Sequence, residues 1–304
     1  MKCAPSSCTR SKSSGTGVSA RRRRCSVAWH GTSACSLRAR WCGQALRSMG
    51  IAWLPRRRAP RYNAVQRRAR KNFAAAVAAM SPAAVQRKLA LAMDGVILQR
   101  PPSDPIDREN FCEARRHALL SHTCGARLPG ARWWQVPMDR AVPLWGGVAA
   151  TGFSVVAFHA RKKLKQEEWA RIVADGQLAS AIRLHPENEH GPWHVLWDNE
   201  RFLDARCSKA AHKQANVKLW HIPPKSPDLN PVERFWAWLR RALRHLDMQD
   251  LHAGRPVPAR AAYTQRVRRL VASQRARRAA ANYARSCWKT CIIVRDNGGR
   301  HSGK

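Results

Sequence analysis

Residues 217–246 read VKLWHIPPKSPDLNPVERFWAWLRRALRHL, and this stretch decides how the rest of the chain is organised. It predicts a short buried strand, a stiff turn and a long amphipathic helix. Pro223, Pro224, Pro227 and Pro231 stiffen the turn, because each proline locks its own φ and drives the preceding residue toward extended backbone. Asn230 suits a helix N-cap, Pro231 suits the first helical position, and Glu233 falls third in the helix. Val232, Phe235, Trp236, Leu239, Leu243 and Leu246 recur at spacings of three and four and form one apolar stripe, with Arg234, Arg240, Arg241 and Arg244 off it. Glu233 has two readings at this point. It is either a capping glutamate that reaches back to the Asn230 amide, or a carboxylate held for chemistry.

Working outward, residues 192–203 read PWHVLWDNERFL, an apolar run ending in Asp198-Asn199, and thirty-four residues separate Asp198 from Glu233. Together, the strand-final Asp-Asn, this spacing and the signature SPDLNPVERFW at 226–236 resemble the mariner-type DDE transposases. The resemblance covers roughly residues 88–250. It implies an α/β fold, an RNase H-like mixed five-stranded sheet flanked by helices, with basic helical extensions at both termini. It also implies three catalytic, metal-ligating carboxylates. Asp198 and Glu233 are two of them, and the third is expected at or near the end of the first strand. There KLALAMDGVILQRPP, residues 88–102, offers Asp94. The family usually has Asp-Glu at this place and this chain has Asp94-Gly95, a pair that also suits a tight hairpin; Asp104 and Asp107 are the fallback ligands. The cofactor implied is Mg²⁺ (or Mn²⁺), since in-line phosphodiester transfer is served by two divalent ions about 3.5–4 Å apart on hard oxygen ligands.

Between the first two acids, LWGGVAATGFSVVAFH, residues 144–159, resembles the family's Trp-Gly-Gly hairpin. It predicts two antiparallel strands with a turn over 149–152. Trp145 is expected to pack on the sheet and Gly146 and Gly147 to allow close backbone approach, while His159 reads as a strand-end histidine. Residues 164–182 predict a helix broken or bent at Gly176.

Charge points to the partner. The formal net charge is +37, with 20 Lys and Arg and no Asp or Glu in residues 1–93, and with 13 basic residues against Asp296 alone from 251 onward. Such self-repulsion implies a polyanion, and double-stranded DNA, as transposon ends and target, is the expected one. No apolar run approaches the roughly 20 residues of a membrane span. The ten cysteines form no disulfide framework; Cys112, His117, His122 and Cys124 fit no standard zinc spacing, and Cys287 and Cys291 read as packing residues.

The expected organisation is a disordered basic segment over 1–34, a partial helix-turn-helix remnant and basic linker over 35–84, the DDE catalytic domain over 85–250, and a basic helical C-terminal tail over 251–304. The run Arg21–Arg24 reads as a nuclear import signal, a phosphate-binding patch, a solvated charge run or part of a transit segment. Arg56, Arg57, Arg58 and Arg61 are the expected DNA contacts. A homodimer, and residence in the nucleus or, outside eukaryotes, the cytoplasm and nucleoid, complete the expectation. Two other functions stand beside transposition: a catalytically inactive, transposase-derived DNA-binding protein, and a nuclease acting on RNA hybrids.

Overall fold

The structure, a computed structural model, describes residues 62–104, 108, 111, 136–161, 163–188 and 191–303. Two helices lead into the sheet. Helix α1 (Ala64–Ala78) opens with a capping box between Asn63 and Gln66, and α2 (Pro82–Lys88) starts at the Ser81 cap with Pro82 in its first turn. Strand β1 (Leu89–Gln99) follows without a break. Its opening run LALAM is apolar at every position because both faces are covered. Leu89 and Ala92 point into one core and Ala90, Leu91 and Met93 into the other.

Strands β2 (Ala141–Ala149) and β3 (Gly152–Phe158) form the expected hairpin. Strands β4 (Trp193–Trp197) and β5 (Val217–His221) complete a five-stranded sheet in the order β3-β2-β1-β4-β5. The first three strands are antiparallel and β1, β4 and β5 are parallel, which is the RNase H-like arrangement.

One face of the sheet carries α3 (Gln166–Ala174), α4 (Gln177–Arg183) and α5 (Arg206–Gln214), gathered around buried Trp169. Gly176 separates α3 from α4 in a left-handed conformation, φ +76°, which glycine adopts without steric cost. The other face carries α6 (Pro231–His252), then α7 (Arg260–Ala272), α8 (Gln274–Arg285) and α9 (Cys287–Asp296).

These last three helices are not the separate tail expected over 251–304. Tyr263, Val267, Val271, Ala276, Ala280, Ala284, Cys287, Cys291 and Val294 share one core with the sheet and with α1. The boundary expected at 250 falls inside α6. Arginine dominates the composition of α7 and α8, and it masks small apolar positions at helical spacing that suffice to bury one side of each. Cys287 and Cys291 are free, buried thiols in that core. No helix among the described residues is long and apolar enough to cross a membrane. Arg21–Arg24, Arg56, Arg57, Arg58, Arg61, Asp107 and the set Cys112, His117, His122 and Cys124 lie outside the described residues.

Candidate active site

Asp94, expected at or near the end of the first strand, sits in the middle of β1, and the reason lies in the neighbouring strand. β4 pairs with β1 only as far as Ala92 opposite Leu196. Two residues further along both parallel strands stand Asp94 and Asp198, so β1 runs on past the end of its neighbour and both carboxylates emerge at one level of the sheet edge. Each is held in the same way: Gly95 N–H donates to Asp94 Oδ1 at 2.7 Å, and Asn199 N–H donates to Asp198 Oδ1 at 2.7 Å. Asn199 also donates through Nδ2 to the Ile222 carbonyl just beyond β5, which pins the strand-end loop.

Gly95 is not in a turn. It faces Trp145 across the β1–β2 ladder, and a Cβ there would lie 2.7 Å from the Trp145 ring. The indole, packed against Trp169 and Phe202, takes the space a side chain at 95 would need. A side chain at 95 would therefore require the Trp145 ring to move. Asp104, the fallback ligand, is exposed and does not border the cavity described below.

Glu233 arrives from the far side. Asn230 caps α6 by accepting from Val232 N–H, and it donates through Nδ2 to the Met93 carbonyl at 3.2 Å, one residue before Asp94. This bond ties the signature turn to β1. Glu233 makes no capping box; its carboxylate is turned to Asp94, so the capping reading fails.

Asp94, Asp198 and Glu233 border one cavity of about 730 Å³, together with Glu200, Lys163, Arg201, Arg240, His159 and Trp236. Burial pushes the Asp94 carboxyl well above its usual range, and the Glu233 charge adds to this, against the opposing Gly95 N–H. Burial also raises Glu233, opposed chiefly by Arg240 and by a hydrogen bond from Asp94. Each acid thus disfavours the charged form of the other across a short contact.

Several of these neighbours escaped sequence reasoning. Arg240, assigned to an outward-facing cationic side, is turned to Glu233 and Asp94. The signal was there, since it follows Glu233 by two helical turns on the same side. Glu200, two residues after Asp198, was passed over, and the apolar content of its strand gave no hint that the next loop folds back over the cavity.

A divalent cation suits this donor set in its chemistry: oxygen ligands of one charge, in mutual repulsion and partly removed from water. Among the described residues, however, no three His, Cys, Asp or Glu side chains are arranged to hold a metal ion. The fit rests on the touching Asp94–Glu233 pair, with Asp198 on the wall of the same cavity.

A family model of the DDE superfamily endonucleases matches residues 156–253, a span that includes Asp198 and Glu233 and leaves out Asp94. No curated protein matches the chain. Among solved structures, a pre-cleavage Mos1 transpososome is similar at 15% identity and TM-score 0.55, covering 86% of this chain and 71% of that one. The Mos1 mariner paired-end complex with Mn is similar at 14% identity and TM-score 0.54, covering 86% and 70%. The corresponding complex with Mg is similar at 14% identity and TM-score 0.50, covering 86% and 71%. Residues 156–253 thus match the DDE superfamily endonucleases, and they lie in a fold similar to that of the Mos1 mariner transposase structures.

Proposed function

We propose that this chain cuts DNA phosphodiester bonds in a metal-dependent reaction and joins the freed 3′-hydroxyl to a second DNA. Asp94, Asp198 and Glu233 are the residues that would hold Mg²⁺ or Mn²⁺. The observation that carries the reading is the convergence of these three acids, from two parallel strands and one helix, on a single cavity whose two innermost members repel each other. When bound, a divalent cation activates the attacking oxygen and neutralises charge at the leaving oxygen. The protein's own side chains do the rest. Asp94 and Glu233, when both are ionised, would present two anionic ligands. Lys163, Arg201 and Arg240 supply cations for the backbone phosphates at the rim. Trp145, packed over Gly95, lines the cavity.

The Mos1 relatives in complexes with transposon ends and with Mn or Mg support DNA as partner and a divalent ion as cofactor. Arg56, Arg57, Arg58 and Arg61 remain the proposed phosphate contacts ahead of the core, and action on chromosomal DNA implies the nucleus or nucleoid. The inactive DNA-binding reading draws on Arg240, which already supplies a positive charge to Glu233 and Asp94. Incubation of supercoiled DNA with the chain and Mg²⁺ or Mn²⁺ decides between them. Nicking that is lost in Asp198→Asn is expected; nicking that survives this change sinks the assignment, and DNA binding without any nicking selects the inactive reading.

A further inference from the structure

The signature residue Asp228 does no chemistry in the reading above, yet it is one of the most fully partnered groups in the molecule. It lies in the 3₁₀ turn Pro227–Leu229, five residues before Glu233. Arg70, from the middle of α1, meets it in a two-pronged ion pair, Nη1 to Oδ1 at 2.9 Å and Nη2 to Oδ2 at 2.8 Å. The two side chains are 0% and 2% exposed. Two further donors of Arg70 are used as well: Nε donates to the Gly299 carbonyl at 2.9 Å and Nη2 to the Arg300 carbonyl at 3.3 Å. Ser302 N–H closes the ring by donating to Asp228 Oδ2 at 2.9 Å. Tyr62 stacks on the guanidinium, 4.2 Å from its ring centre.

Three segments far apart in sequence therefore meet at one guanidinium: the helix before the sheet, the turn that carries Glu233, and the residues after α9. Gly299 is shaped to this packing. It has φ +82°, and a Cβ would lie 2.0 Å from the Arg67 carbonyl oxygen, so only glycine lets the chain cross α1 at that point.

We infer that Arg70 and Asp228 are positioning residues for the carboxylate cavity, acting through the signature turn to set where Glu233 stands against Asp94. The turn has two anchors. On one side Asn230 holds it to the Met93 carbonyl beside Asp94. On the other, the Arg70–Asp228 pair holds it to the body of the protein. With the second anchor loosened, the first turn of α6 is free to shift about the Asn230 bond, and Glu233 shifts with it. A fork-to-fork arginine contact fixes direction as well as distance, and a lysine point charge does not reproduce it.

The inference rests on the function proposed above, and its test separates the two. Full-length Asp228→Asn and Arg70→Lys are compared with the wild type by amide hydrogen exchange and by kinetics of DNA cleavage. The expected result is exchange faster by roughly tenfold or more, confined to residues 226–236, with β2 and β3 protected as in the wild type. In cleavage, kcat is expected to fall about 100-fold while KM for DNA stays within about twofold, the pattern of a misplaced ligand and not of lost DNA binding. Unchanged exchange over 226–236, or opening spread through the whole core, overturns the inference, as does a wild-type kcat in the folded variants. A wild type that cuts no DNA defeats the proposed function alone; the exchange measurement still decides the clamp. If Arg70→Lys does not fold, Asp228→Asn, which keeps the shape of the side chain, carries the test.

Discussion

Helix α6 carries acids at both ends, and the two ends have opposite electrostatics. At its start, Glu233 faces Asp94 across a cavity where carboxylates outnumber the cations that directly compensate them. At its end, Asp247 and Asp250 are buried in a finished network. Arg266 bonds both, Arg255 bonds Asp250, and Tyr263 donates its hydroxyl to Asp247 at 3.1 Å. Burial pushes Asp250 up, yet Arg266 and Arg255 outweigh it and hold the carboxyl below its usual range. The more deeply placed Asp247 is still raised to about 6 by burial, despite Tyr263 and Arg266. Two clusters of the same residue type on one helix thus serve different ends. The finished one locks α6 to α7, and the unfinished one leaves its carboxylates in mutual repulsion.

The comparison breaks most sharply at the cavity. Glu233→Gln is expected to cut metal-dependent DNA cleavage by on the order of 10³-fold or more while leaving the thermal midpoint equal to or above that of the wild type, because it removes a repulsion. A midpoint several degrees lower would show that Glu233 serves stability after all. At the other end, Arg266→Met is expected to destabilise the fold by about 3–5 kcal/mol, since it strands buried Asp247 without its cation. Urea unfolding measures this, and a loss under about 1 kcal/mol would place the network among the weak surface pairs.

A pH series sharpens the contrast. A carboxyl whose pKa is raised by folding binds protons more tightly in the folded state, so stability falls as pH rises from its unfolded pKa toward its folded one. For Asp247, raised from 3.8 to about 6, the loss falls between about pH 4 and 6. Asp247→Asn lacks it, so the stability of this variant relative to the wild type should climb by about 2–3 kcal/mol across that window. Unfolding free energies at pH 4 and pH 6.5 test this, and parallel curves would contradict it. The smallest effect expected is for Gly95→Ala, where the new methyl meets the Trp145 ring; overpacking of this kind costs about 1–3 kcal/mol. A variant as stable as the wild type would mean that the ring yields and that Gly95 answers to something other than Trp145.

Much of the site was legible along the chain because its parts are local. Proline stiffness, an Asn cap and a strand-final Asp-Asn are properties of a few adjacent residues, and so the 217–246 stretch declares its strand, turn and helix without help from the rest. The Trp-Gly-Gly hairpin is of the same kind. The C-terminal helices misled for a related reason: arginine on their outer sides dominates composition, while Ala276, Ala280 and Ala284 bury too little surface each to stand out.

The sequence by itself singled out candidate acids and the local frame around two of them. Only the tertiary structure decided how they meet: that β1 outruns β4 and so brings Asp94 level with Asp198, that Glu233 turns to Asp94 and not back to its own helix cap, and that Arg70 reaches Asp228 across 158 positions of chain. The physical reason is one of range. Caps and turns are settled by neighbours a few bonds away. Strand register, burial of a charge and the partner of a buried guanidinium are settled by the packing of the whole core, which no short window of residues contains.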